Sequence, residues 1–183
     1  MCKLSRLQNK FYRTVILYPI LPKKYPIIPE RENALGAINM RLSSNFSLEE
    51  LYFSSVAKEH NINNQPTREA TEALGCLVQN LLQPLRDKLR RPIIVTSGYR
   101  CPALNKIVGG AKNSQHTLGQ AVDIVVHGMT PRTLAEFVTR SGLIFDQMIV
   151  EEVGNTSWLH LSYTRKFNRK ERLLYRGGKY TRF

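Results

Sequence analysis

His116 stands seven positions before Asp123 in Ser114-Gln115-His116-Thr117-Leu118-Gly119-Gln120-Ala121-Val122-Asp123-Ile124, with Gly119 between them. Imidazole nitrogen and carboxylate oxygen are both zinc donors, and an open catalytic zinc site takes three protein ligands and leaves a position free. The third ligand must come from elsewhere in the chain. His160 lies in Trp158-Leu159-His160-Leu161, where strand alternation turns it away from its leucine neighbours. His127 follows a strand candidate, directly before Gly128, and reads as a loop residue. The residues therefore point to one Zn2+ per chain, held by His116, Asp123 and His160.

A scaffold must bring these three positions together. Ser47-Leu48-Glu49-Glu50 fits a capping box, so a short helix is expected from Leu48. Thr67 can cap a longer helix whose apolar residues Ala70, Leu74, Leu77, Val78, Leu81, Leu82, Leu85 and Leu89 recur at three- and four-residue steps. Pro84 predicts a kink in that helix. Pro92 stops it, and Ile93-Ile94-Val95-Thr96 reads as a buried β-branched strand. Further strands are expected at 121–126, 145–151 and 158–163, with a helix starting at Thr130-Pro131 and running through Leu134, Phe137 and Val138. Helices first and mostly sheet later predict an α+β fold, a single domain with N-terminal helices packed on a small, mostly antiparallel sheet that carries the zinc site. Pro19, Pro22, Pro26 and Pro29 exclude a continuous helix near the start. The expected organisation is an irregular arm at 1–39, the zinc domain at 40–165 and a basic extension at 166–183.

The net charge of +13 predicts attraction to an anionic partner. Much of it lies at the end, where Arg165, Lys166, Arg169, Lys170, Arg172, Arg176, Lys179 and Arg182 alternate with Phe167, Tyr175, Tyr180 and Phe183. Basic residues interleaved with aromatics suit a nucleic-acid surface, yet a solvated terminal hairpin carries the same letters. Electrostatic steering, with no specific nucleic acid as partner, is the expectation. Cys2, Cys76 and Cys101 are odd in number and lack a CxxC spacing, which argues against a disulfide framework and a cysteine metal knot. Cys76 is expected in the core. No apolar run has the length to cross a bilayer. The patch Val15–Leu21 is broken by Pro19 and lacks a small-residue cleavage site, which disfavours a secretory signal.

Thr96-Ser97-Gly98-Tyr99-Arg100, then Asn105, Gly109-Gly110, the SxHxxGxAxD run of Ser114 to Asp123, and Phe145-Asp146-Gln147 leading to Trp158-Leu159-His160 together resemble the M15 zinc peptidases. That family includes D-alanyl-D-alanine carboxypeptidases, phage-type endolysins and VanX-like dipeptidases. The resemblance covers the chain from near Leu42 to Tyr163 and neither of its ends. It implies that His116, Asp123 and His160 ligate zinc, and that Arg100 is a catalytic and substrate-binding cation for a carboxylate or carbonyl. An arginine fits because its planar fork can pair bidentately. It also implies that Ser114 makes a polar substrate contact beside the metal. The implied reaction is metal-assisted hydrolysis with a carboxylate as proton carrier. In many relatives an Asp or Glu stands three residues before the last histidine; here that position is Ser157, which cannot act as a base at neutral pH. Glu151 and Glu152 are the nearest substitutes, and alternation from Gln147 and Ile149 makes Glu151 the expected catalytic base. Trp158 is expected to fill the core beside the metal.

These readings combine into zinc-dependent hydrolysis of peptide bonds in peptidoglycan stem peptides, of D,D-carboxypeptidase or L,D-endopeptidase type. A monomer would act at the bacterial cell wall, exported or made in the cytoplasm as a phage-type lysin, with its basic surface drawn to anionic wall polymers. Ser157 raises the alternative of a non-catalytic, zinc-stabilised wall-binding domain of the same fold.

Overall fold

The first three described helices start where a side-chain oxygen can satisfy an orphaned amide. The computed structural model describes residues 40–183, so the expected arm at 1–39 lies outside the described residues. Ser47 caps α1 (Leu48–Tyr52) through the Glu50 amide, Ser54 caps α2 (Ser55–Glu59), and Thr67 caps α3 (Arg68–Leu77). The long helix expected after Thr67 is present but interrupted: its ladder widens into a π turn at Val78–Leu82 before α4 (Gln83–Leu89). Pro84 supplies a cause, because it has no N–H to donate and its ring crowds the carbonyl four residues back. One extra residue in the turn accommodates both defects. Within that turn the Asn80 side chain donates to the Cys76 carbonyl at 2.8 Å.

Six strands follow: β1 (Ile94–Ser97), β2 (Ala121–Val125), β3 (Gln147–Val153), β4 (Thr156–Ser162), β5 (Glu171–Arg176) and β6 (Lys179–Arg182). They form one sheet in the order β1-β2-β4-β3-β5-β6, antiparallel throughout except for the parallel β3–β5 pair. Between β1 and β2 the chain makes α5 (Pro102–Ile107) and a 3₁₀ turn at Gln115–Leu118, and α6 (Pro131–Arg140) joins β2 to β3. The expected α+β architecture is therefore present. The segment read as a basic extension contributes β5 and β6, a hairpin that continues the same sheet.

One face of the sheet packs against helices. Val122, Ile124, Met148, Val150, Leu159 and Leu161 join Leu74, Leu77, Leu81, Leu134 and Val138 in a single buried cluster. Cys76, Tyr99 and Tyr163 are also buried there. Strand 93–96 was expected to be buried throughout; instead β1 is an edge strand, with Ile94 52% exposed and Ile93, just before it, buried. The helices cover one side of an edge strand only, so alternate residues face out. Strand alternation sends Asp123, His160, Ile149 and Glu151 to the face opposite the helices.

Two glycines let the segments around this face approach closely. A Cβ on Gly98 would lie 2.1 Å from the Leu51 carbonyl oxygen, and one on Gly119 would lie 2.3 Å from that of Ala70. Gly119 also has a φ of +67°, which side chains rarely adopt. Gly119→Ala is expected to cost about 3 kcal/mol from backbone strain plus collision, measured by urea unfolding. Parent-like stability would contradict the close seating of the 3₁₀ turn on α3.

Candidate metal centre

Asp123 of β2 and His160 of β4 are direct cross-strand partners. Antiparallel pairing puts such side chains side by side on one face. His116 arrives from the 3₁₀ turn, where Ser114 Oγ accepts from its amide at 3.3 Å and Gly119 closes the turn. A reciprocal pair of bonds locks this turn to the loop after β1. The Arg100 amide donates to the His116 carbonyl at 3.2 Å, and His116 Nδ1–H donates to the Gly98 carbonyl at 2.6 Å.

The three side chains converge. His160 Nδ1 is 2.9 Å from Asp123 Oδ1, His116 Nε2 is 3.2 Å from the same oxygen, and the two imidazole nitrogens are 3.2 Å apart. All three residues are buried, with exposures of 3% for His116, 4% for Asp123 and 6% for His160. Because Nδ1–H of His116 is committed to a backbone carbonyl, a neutral imidazole turns its Nε2 lone pair onto a carboxylate oxygen. Two acceptors at that separation repel unless a proton or a cation lies between them. The set of two imidazoles and one carboxylate, all within 4.8 Å of one another, fits a zinc ion by donor type and number. The carbonyl that orients His116 is the kind of outer partner that metal-bound histidines use. Burial alone would raise the Asp123 carboxyl; where the imidazoles are charged, their attraction and their hydrogen bonds outweigh burial and hold the group far below the usual carboxylate range.

Arg100 completes the neutralisation. Its Nη2 donates to Asp123 Oδ2 at 2.5 Å and its Nε to Ser97 Oγ at 2.8 Å, leaving Nη1 without a protein partner among the described residues. Ser114 lines the same cleft, although its hydroxyl is occupied in capping the turn. Glu151 pairs across β3–β4 with Trp158 and also lines the cleft. Burial, and then the negative charge of Asp123, push its carboxyl above the usual range. Trp158 does not fill the core as expected. It shares the face of His160, is half-buried in the cleft wall, and its Nε1 has no hydrogen-bond partner among the described residues. Ser157, paired with Glu152, lies on the other face, because an odd step along a strand reverses the side. His127 is an exposed turn residue, as expected.

The cleft has a volume of about 820 Å³, and the C-terminal segment supplies part of its wall through Arg169, Tyr175 and Tyr180. None of these was singled out in the sequence as a site residue. The available signal was Gly177-Gly178 between two runs of strand-forming residues, which marks a tight hairpin. Asp146, in the Phe145-Asp146-Gln147 run, is buried and ties that segment to the metal centre. It accepts from Arg169 at the amide (3.0 Å), Nε (2.9 Å) and Nη2 (2.7 Å), and from Gln115, the neighbour of His116, at 3.0 Å.

A buried two-histidine, one-carboxylate donor set open to a cleft, on a sheet backed by helices, could hold a metal ion where a substrate can reach it. The family model for Peptidase M15 matches residues 44–162, well over half of the chain, and the chain belongs to that family of zinc-dependent peptidases. A comparison with curated proteins finds no match.

Burial would raise the Asp146 carboxyl, but the bonds from Arg169 and Gln115 win and hold it below its ordinary value. A depressed folded-state pKa stabilises the fold above the unfolded value and loses that contribution as pH falls through the folded one. Asp146→Asn is therefore expected to cost about 2 kcal/mol at pH 7, with the two proteins converging in stability as pH falls below about 4. Unfolding curves across that range check this, and a pH-independent difference would contradict it.

Proposed function

We propose that this chain is a zinc peptidase acting on the stem peptides of peptidoglycan, with His116, Asp123 and His160 as zinc ligands, Glu151 as general base and Arg100 as the substrate-binding cation. The observation that carries it is that Glu151 stands in the same cleft and on the same sheet face as the donor set. Ile149 is the direct partner of His160, so Glu151 is its diagonal neighbour, at about 7–8 Å. That gap suits a water and a scissile carbonyl.

When bound, zinc acts as a Lewis acid toward the carbonyl and makes a water nucleophilic near neutral pH. Glu151 takes the proton as the water oxygen bonds to the carbonyl carbon, then delivers it to the amine as the C–N bond breaks. Arg100, anchored through Nη2 and Nε, keeps Nη1 to pair with a carboxylate or carbonyl of the substrate. Ser114 adds a polar edge to the cleft. Stem peptides supply the carboxylates that an arginine selects, and the net charge of +13 favours approach to anionic wall polymers. The proposed place of action is accordingly the bacterial cell wall, reached by export or by release as a lysin, with one chain carrying a complete site.

The wall-binding alternative rests on Ser157. Its weight falls because that position faces away from the donor set, whereas Glu151 faces toward it.

The test is peptide release from purified peptidoglycan, read by mass spectrometry. Glu151→Gln is expected to lower kcat by a factor of about 10² to 10⁴ while zinc content stays at that of the parent. Because burial raises the Glu151 carboxyl and only its ionised form accepts a proton, the acid limb of the parent's profile is expected above the ordinary carboxylate range. An unchanged rate in Glu151→Gln removes the residue from this role. No release by the zinc-loaded parent favours the wall-binding domain.

A further inference from the structure

Four side chains stand in a row across four neighbouring strands. Trp158 of β4 pairs with Glu151 of β3, Glu151 with Tyr175 of β5, and Tyr175 with Tyr180 of β6. At about 4.8 Å per strand, Tyr180 lies roughly 10 Å from Glu151 and 14 Å from Trp158. All four line the cleft. The outer pair is in ring contact, with centroids 4.7 Å apart and planes inclined at 46°. Tyr180 is 58% exposed. Residues 44–162 carry the family match, so this outer half of the row is built by a segment beyond it.

We propose that Tyr175 and Tyr180 form a saccharide subsite, which holds an N-acetylated hexosamine ring of the glycan to which the stem peptide is attached. The proposal rests on the peptidoglycan reading above. A pyranose ring presents a face of C–H groups that packs on an aromatic surface, while its hydroxyls meet the phenol oxygens and solvent at the rim. An extended chain covers at most about 3.3–3.6 Å per residue, so a sugar on this pair stands within roughly three residues of the reacting bond.

Charge distinguishes this occupant from a nucleobase strand, which would also stack on tyrosines. Alternation puts Arg172, Arg176 and Lys179 on the opposite face, and of the cations in β5 and β6 only Arg182 shares the tyrosine face. That face also carries Glu151, whose charge repels a phosphodiester backbone, while the cleft arginines Arg100 and Arg169 are paired with Asp123 and with Asp146 and Glu171.

The probe is peptide-free glycan strands of alternating N-acetylglucosamine and N-acetylmuramic acid, titrated calorimetrically into the full chain. Binding is expected for the parent, with Tyr180→Ala weakened about tenfold, Tyr180→Phe within about twofold and Phe167→Ala, exposed and not part of the cleft lining, unchanged. Absence of binding by the parent, or equal affinity in Tyr180→Ala, overturns the subsite. So does tighter binding of a single-stranded oligonucleotide that Tyr180→Ala weakens, because the pair would then serve a nucleic acid. The readout needs no turnover. Strand binding without stem-peptide hydrolysis sinks the peptidase reading alone, and hydrolysis without strand binding sinks the subsite alone.

Discussion

A carboxylate taken out of water must be compensated on every side, and the architecture of this protein is organised around the one at Asp123. Its Oδ1 faces two imidazoles and its Oδ2 faces Arg100. Desolvating an ion of this size costs several kcal/mol, so each neighbour must be held in place by something that does not itself need water. The backbone does this. Cross-strand register presents His160, the Gly98 carbonyl orients His116, and the His116 carbonyl accepts from the amide of Arg100. Gly98 can play this part because it lacks a Cβ, which lets the loop lie against the Leu51 carbonyl.

A second buried carboxylate extends the same logic outward. Asp146 precedes β3, accepts from Gln115 in the ligand-bearing turn and from Arg169 ahead of β5, and so couples the C-terminal hairpin to the metal centre. The parallel pairing of β5 on β3 then continues the site face of the sheet past the family-matched region. A segment that looks like a solvated tail in composition thereby becomes a wall of the cleft.

The convergence of the candidate metal ligands was legible in the sequence because it obeys local rules. The SxHxxGxAxD run encodes turn, glycine and strand in succession, and period-two alternation separated His160 from its leucine neighbours. The same alternation selected Glu151. Three features escaped, two of them for non-local reasons. The expectation of a uniformly buried β1 failed because edge position depends on sheet order, which Ile93-Ile94-Val95-Thr96 does not encode. Trp158 was assigned to the core from its size, although its parity with His160 puts it on the cleft face. The roles of Arg169, Tyr175 and Tyr180 depend on the parallel pairing of β5 on β3 across β4 and its following loop, which a terminal hairpin expected to be solvated does not announce.

The most direct measurement is X-ray absorption at the zinc edge on the full chain loaded with one equivalent of zinc, beside Asp123→Ala and His160→Ala. The account requires a first shell with two imidazole nitrogens in the parent, and a loss of nitrogen count or of bound zinc in His160→Ala. A shell containing sulfur, or one that persists unchanged in both variants, would place the metal elsewhere and contradict it.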